Sequence, residues 1–540
     1  MVYMGEGEEL WNKYCSFFDE PFSKQVEHNE ASLKEHFGKW KQTKTAEKLC
    51  PNGVKKFEDV PITTYGDYPI LQEFGAKVKK LSQTLPQKNG ELLWDYYVRI
   101  SAQAAKMLDG WIPDEYSFCL KTSGSDGECK WYACGKKYLE NTDRVCHQMV
   151  IFACSDEWGT TKIKSGDTFL NLSAPPPYGS SVGARFFDTF LKGIPPSQVA
   201  EKITDMRKKM GLIYKTIESG KKIDFLSSPA SVLSMIAKYF TEPDELYKDR
   251  YQSMAPGMAK LILYIKYLQA KMGGKKFKKV SEVIQAKGLM CVAWDGTIYR
   301  ESLRDQYNLE PFNLYAASDT LIPFMGRPHR KWDFFPNLET VYPEFLTGDG
   351  EIKKINELKK NHVYEFIATT FGLMTIRLKY GDLFKVIDFE DDGMPIFRFE
   401  GRRAGMIDVY GYFRISEAMM RETLKRVGLA NTDDWIVTQE LNPKERIRIL
   451  MEKRWDYSEN KAARLIFESL RKINPDFESY IKDYKIKEPS EVLEVEYLKK
   501  GAFLRYTMKK GREGVPFGQI KPPKIMGPEE KELVDLLKSV

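Results

Sequence analysis

The sequence predicts an α/β fold in which a large N-terminal domain precedes a smaller α+β domain, on three observations. From Tyr116 to about Phe399, short apolar runs that read as strands (Tyr116–Leu120, Val150–Cys154, Met290–Trp294, Val363–Ala368) alternate with helical stretches such as Val199–Ser219. The composition then changes after Gly401-Arg402-Arg403-Ala404-Gly405. Finally, 540 residues exceed what a single hydrophobic core usually organises. The expected organisation is a domain over 1–400, a linker at 401–405 and a domain over 406–540.

The first hundred residues carry apolar positions at helical spacing, most clearly in Glu8–Phe18 and Leu92–Leu108, and serve as packing elements. After the strand at Tyr116–Leu120 comes Thr122-Ser123-Gly124-Ser125-Asp126-Gly127-Glu128-Cys129-Lys130, then a helix-compatible run from Trp131 to Tyr138. Thr122, Ser123 and Ser125 offer hydroxyl donors, Gly124 and Gly127 let backbone N–H groups approach an anion, and Lys130 adds a point charge. The spacing is not that of a Walker loop, which argues against a kinase or GTPase. On this stretch alone, a surface turn fits as well as a phosphate loop.

Ser173–Gly183, with three consecutive prolines followed by Tyr178, Gly179, Ser180, Ser181 and Val182, reads as a strand crossover or a loop lining a site. Ser228-Pro229 marks a helix start before Ala230–Phe240. Met258–Met272 interrupts its aliphatic positions with Lys260, Lys266 and Lys271, so it is too charged to span a membrane and is expected as an amphipathic core helix. A strand at Phe312–Leu314 delivers Tyr315-Ala316-Ala317-Ser318-Asp319 to its carboxyl end, where α/β sheets bind ligands. There, small residues admit a flat ring and Asp319 suits a hard cation such as Mg²⁺, although a plain turn fits the segment too. In the C-terminal part, Ser416 caps a helix ending near Gly428, strands follow at Trp435–Leu441 and Arg446–Met451, Ser458–Ile473 is a helix, Val492–Leu498 a strand, and a helix begins at Ala502.

The net charge of +7, set against 83 basic and 76 acidic residues, gives no electrostatic footprint for nucleic acid. Eight cysteines, at 15, 50, 119, 129, 134, 146, 154 and 291, form no C-x-x-C and no histidine-paired zinc pattern, and are expected as reduced thiols of a cytoplasmic protein. The five histidines form no triad-like pattern, so covalent acyl-enzyme chemistry has no support.

The order of the pieces carries more than any one of them. The Thr122–Lys130 loop, Tyr315–Asp319, Tyr380-Gly381-Asp382 and Gly401-Arg402 together resemble the acyl-adenylate-forming superfamily. Within it the sequence is most similar to the acyl-acid amido synthetases, the auxin- and jasmonate-conjugating type and its prokaryotic relatives. Phe335-Pro336-Asn337-Leu338 with Tyr342-Pro343-Glu344-Phe345, Asn361–Thr370 followed by Gly381-Asp382, Lys500-Gly501-Ala502-Phe503 and Gly518–Lys524 carry this likeness, which runs from about residue 90 to the end. Asp319 stands where that family usually has Glu, Lys379 where it has Arg, and Ala404-Gly405 where an acidic pair is common.

The resemblance implies a large adenylate-forming α/β domain with a small mobile α+β domain hinged at 401–405. It implies ATP and Mg²⁺ as cofactors, with phosphates on Thr122–Lys130, the adenine beside Tyr315–Ser318, the ribose on Asp382 and Arg402, and the metal on Asp319 and Glu344. Lys130 and a C-terminal lysine, Lys521 with Lys524 as the alternative, would act on the reacting phosphate. Tyr178, Ser180, Ser181, Val182 and Arg185 are candidates for the acyl pocket, Arg185 as a carboxylate clamp or as a helix-surface charge. The implied reaction joins a carboxylic acid to an amine through an acyl-adenylate. A thioester ligase sharing the first half-reaction and a nucleotide-binding relative without turnover are the alternatives. Neither nucleic acid nor membrane is an expected partner.

Overall fold

The computed structural model describes residues 5–122, 130–203, 206–252, 258–273, 277–292, 299–402, 406–409, 413–429, 434–440, 446–453, 456–483, 485–512, 520, 522–526 and 531–538. Chain contacts divide it into two compact units. One comprises Met1–Ser234, Lys279–Tyr380 and Lys385–Arg398, the other Met235–Lys278, Gly381–Phe384 and Phe399–Val540.

In the first unit, β1 (Tyr116–Lys121) and β2 (Trp131–Gly135) form an antiparallel hairpin with Lys121 opposite Trp131 and Leu120 opposite Tyr132. The principal sheet has twelve strands: β3 (Thr168–Leu170), β4 (Lys192–Ile194), β5 (Phe225–Ser228), β6 (Gly288–Val292), β7 (Phe312–Ala317), β8 (Leu321–Arg327), β9 (Arg330–Pro336), β10 (Val341–Leu346), β11 (Ile352–Lys353), β12 (Val363–Thr370), β13 (Leu378–Phe389) and β14 (Pro395–Arg402). They run in the order β11-β10-β12-β13-β14-β9-β8-β7-β6-β5-β3-β4. The edge from β4 to β7 is parallel, whereas the β7–β8 and β8–β9 pairs are antiparallel hairpins. The parallel strands are short apolar runs, as expected where both faces are covered. The helix Lys136–Ala153 packs Val145, Met149 and Phe152 against Phe169, Phe225, Phe312 and Met325 of the sheet. Each such side chain, wholly withdrawn from water, contributes about 1.5–3 kcal/mol.

The second unit holds β15 (Met406–Val409) paired with β16 (Phe413–Ser416), and a four-stranded sheet. Its strands, in the order β19-β18-β17-β20, are β17 (Trp435–Glu440), β18 (Arg446–Glu452), β19 (Leu493–Leu498) and β20 (Ile525–Met526). Ile436, Leu450, Leu498, Phe503, Met526 and Leu537 form a core there. Ser416 caps its helix as the sequence predicts, accepting from the Met419 N–H, whereas Ser458, read from sequence as helical, is the cap of a helix that starts at Glu459 and accepts from the Lys461 N–H.

Several expectations are corrected. Trp131–Gly135 is a strand, and the helix starts only at Lys136, because pairing with β1 overrides the local helical pattern. The Thr122–Lys130 stretch therefore links two antiparallel strands instead of leading from strand to helix. Val150–Ala153 is the last turn of a helix, not a strand; residues buried on every side of a helix carry no period to distinguish them from a buried strand. Glu8–Phe18 splits into a helix, Glu6–Tyr14, and a 3₁₀ turn, Ser16–Asp19. Val199–Ser219 splits into helices Ser197–Ala200 and Met206–Glu218. The loop from Ser173 gives way to a helix, Gly179–Phe187, at Gly179. Met258–Gly273 is a helix, yet its aliphatic side chains face solvent instead of entering a core.

No helix among the described residues is long and apolar enough to cross a membrane. None of the seven described cysteines is in a disulfide; Cys129 lies outside the described residues.

Candidate active site

Thr122 and Lys130 close the base of the glycine-rich stretch. The Thr122 N–H donates to the Lys130 carbonyl (2.9 Å) and the Lys130 N–H donates back to the Thr122 hydroxyl (3.0 Å). Ser123, Gly124, Ser125 and Gly127 lie outside the described residues. The Lys130 ammonium stands 5.7 Å from the Tyr65 ring centre, and the Tyr65 hydroxyl donates to the Trp131 carbonyl while accepting from its N–H. One tyrosine thus fixes the first residue of β2.

The alternation of β2 turns Tyr132 toward the carboxyl end of β7. Its hydroxyl donates to Asp319 Oδ2 at 2.6 Å, both residues being buried. Burial and then the Asp319 charge push the Tyr132 hydroxyl well above its ordinary pKa, so it remains a donor. The Tyr138 hydroxyl donates to the Ser318 carbonyl (2.7 Å) and the Thr370 hydroxyl to the Asp319 carbonyl (2.7 Å). Tyr315 is buried against the Phe324 and Phe366 rings, Ala316 is exposed, and Ala317 and Ser318 are half-buried.

The proline loop joins this cluster. The Lys121 N–H donates to the Pro177 carbonyl (3.0 Å) and the Lys121 ammonium lies 5.3 Å from the Tyr178 ring centre. A Cβ at Gly179 would come within 3.4 Å of the Ser318 hydroxyl oxygen, so the start of this helix borders the β7–β8 turn. The Ser180 hydroxyl accepts from the Ala174 N–H, the Ser181 hydroxyl donates to the Tyr178 carbonyl, and Val182 is buried with Tyr132 and Leu321. Arg185 stacks over the Trp94 ring at 5.3 Å. Thr122, Lys130, Tyr178, Gly179, Ser318 and Asp319 are therefore brought together.

The other candidates stand elsewhere or are already engaged. Both Glu344 oxygens accept from the buried Arg377 guanidinium (3.0 and 2.9 Å), which also donates to the carbonyls of Glu58 and Val60. Burial raises the Glu344 pKa against the opposing pull of Arg377. Asp382 is buried on β13 behind Gly381, whose φ of +80° suits glycine. Arg402 ends β14. Lys521 and residues 403–405 lie outside the described residues. In the second unit, the Lys524 ammonium sits over the rings of Trp435 and Phe503 at 5.4 and 5.6 Å.

Sequence reasoning passed over Tyr65, Tyr132, Arg377 and Lys209. The Lys209 ammonium is buried and donates to the Ser173 carbonyl (2.5 Å) at the head of the proline loop, and burial pulls its pKa down to about 8. None of the four had a local signal; the run after Lys130 reads as helix-compatible in sequence, and its strand pairing is set by β1. Among the described residues no group of three or more His, Cys, Asp or Glu side chains could hold a metal. Asp319 would be the one carboxylate of a Mg²⁺ site that phosphate oxygens and waters complete, as Mg²⁺ commonly takes only one or two carboxylates.

A large sheet with helices and a separate C-terminal sheet make a fold similar to those of solved acyl acid amido synthetase and acyl-CoA ligase structures. The likeness in fold is greater to the acyl acid amido synthetases than to the acyl-CoA ligase. A solved GH3.15 acyl acid amido synthetase in complex with 2,4-DB aligns over 100% of this chain and 97% of its own, with TM-score 0.65 and 16% identity. A second GH3.15 acyl acid amido synthetase structure gives TM-score 0.67 over the same coverage, also at 16% identity. A 2-hydroxyisobutyryl-CoA ligase in the postadenylation state covers 96% of this chain and 93% of its own, with TM-score 0.51 and 10% identity. No protein-family model and no curated protein sequence matches the chain.

Proposed function

We propose that the protein activates a carboxylic acid with ATP as an acyl-adenylate and transfers the acyl group to an amine, forming an amide. The observation that carries this reading is the convergence of the Thr122–Lys130 hairpin, the proline loop and Asp319 at the carboxyl end of β7. The acyl acid amido synthetase fold supports it.

In the first step a carboxylate oxygen attacks the α-phosphorus, forming an acyl C–O–P linkage as the bond to pyrophosphate breaks. Negative charge grows on the phosphate oxygens, where Lys130 and the hydroxyls and N–H groups of Thr122–Lys130 would offset it. When bound, Mg²⁺ supplies further neutralisation at those oxygens, held by Asp319, which Tyr132 orients. Glu344 is better placed as the structural partner of Arg377. In the second step an amine attacks the acyl carbon and AMP leaves. Asp382 and Arg402 for the ribose, Tyr315–Ser318 for the adenine, and Tyr178, Ser180, Ser181, Val182 and Arg185 for the acyl group complete the assignment. Residues 401–405 as hinge between domains 1–400 and 406–540, and Lys521 as the lysine that reaches the nucleotide, belong to the same proposal, as does a cytoplasmic location.

The test is pyrophosphate release from ATP across a panel of carboxylic acids, followed by product analysis with amino acids or coenzyme A. Acid-dependent release is expected, reduced on the order of a hundredfold or more in Lys130→Ala and in Asp319→Asn. Amides should form with an amino acid present. A thioester as sole product would overturn the second step, and release by no acid would overturn the whole reading.

A further inference from the structure

We infer that the helix Met258–Gly273 is an interfacial element that seats on an anionic lipid surface. Met258, Leu261, Ile262, Ile265, Leu268 and Met272 are between 38% and 81% exposed. At 100° per residue they fall in one arc of roughly 120°, interrupted by the exposed Gln269 and with the exposed Tyr264 beside it. Leu263, Tyr267 and Ala270, all half-buried, lie on the opposite side, and the helix Pro243–Gln252 packs on this one. The Lys266 ammonium reaches the ring of Tyr247 on that neighbour (5.8 Å), which places Lys266 at the border of the bare arc. The uncovered apolar area is on the order of 600 Å², the upper end of what a monomer leaves to water.

The charge selects the occupant. From Met258 through Lys278 there is no Asp or Glu, while lysines stand at 260, 266, 271, 275, 276 and 278. A broad apolar arc with tyrosine at its edge, flanked by the exposed Lys266 and Lys271 in a segment without carboxylates, is the pattern of a helix that lies in the headgroup plane of an anionic bilayer. A second copy of this helix would set lysines against lysines with no carboxylate between them. This revises the expectation that no membrane is a partner, without making the helix a membrane span.

Flotation of the full chain with vesicles of phosphatidylcholine alone, and of phosphatidylcholine with phosphatidylglycerol, tests the inference. Binding is expected to the anionic vesicles, to be lost near 1 M salt, where screening shortens to about 3 Å, and to fall at least about tenfold in Ile265→Glu/Leu268→Glu. Lys266→Gln/Lys271→Gln should narrow the preference for anionic vesicles. An unchanged thermal midpoint would show that these exposed replacements leave the fold intact. Binding that is absent, or equal on both vesicle types, overturns the inference. So does sedimentation showing self-association of the parent chain that the Glu pair abolishes.

Discussion

Asp319 and Tyr132 stand 187 positions apart and meet at 2.6 Å in a buried setting, so the carboxylate's geometry depends on a hydroxyl that no local pattern links to it. Tyr132→Phe removes one donor from a buried oxygen, at a cost of about 1–3 kcal/mol. The expected result is a lower thermal midpoint together with pyrophosphate release slowed about tenfold in protein that remains folded, since Asp319 loses its orientation. Unchanged release would remove Tyr132 from the site. His36 supplies a pH prediction. Burial lowers its pKa from 6.5 to about 4, so the folded chain keeps it neutral while the unfolded chain protonates it. Its contribution is complete above pH 6.5 and is lost as pH falls toward 4, amounting to on the order of 3 kcal/mol. Urea midpoints should fall less between pH 7 and pH 5 in His36→Leu than in the parent chain; equal losses would place the acid sensitivity elsewhere. Lys130, Ser318 and Asp319 could be picked from the sequence because phosphate and cation chemistry limits the residue types that serve it. Arg377 could not, because nothing near it announces that its partner is Glu344.

Among the elements, those with their own boundary chemistry were legible. Ser416 precedes apolar periodicity and caps its helix, and β1, β7, β12, β17 and β18 stand where apolar runs meet turn residues. Ser416→Ala should lower stability by about 1 kcal/mol, read as a shift in the urea midpoint, and Ser416→Asp should restore most of it. Loss with both replacements would mean that the hydroxyl does more than cap. The failures at Trp131–Gly135 and Val150–Ala153 share one cause. In each, burial or pairing by distant residues removes the polar side from which period is read.

For the molecule as a whole, the C-terminal sheet depends on a short late strand. β20 pairs parallel with β17, and Met526 is wholly buried beside Ile436, Leu450 and Leu537. Met526→Asp sets an unpaired charge in that core, with an expected cost of several kcal/mol. Limited proteolysis should then cleave preferentially within 406–540 while the N-terminal unit persists; a cleavage pattern like that of the parent chain would show that β20 is dispensable.

The sequence by itself determined the alternation of strands and helices, the change of composition near 401–405 and the types of residue in the nucleotide-binding pieces, because these rest on local periodicity, capping and donor chemistry. Only the tertiary structure decided that the glycine-rich stretch closes a hairpin, that Tyr132 serves Asp319, that Glu344 is held by Arg377 and that the aliphatic arc of Met258–Gly273 is left uncovered by the fold. Each is a relation between residues far apart in the chain, and such relations are set by which surfaces remain to be buried once the local elements have formed.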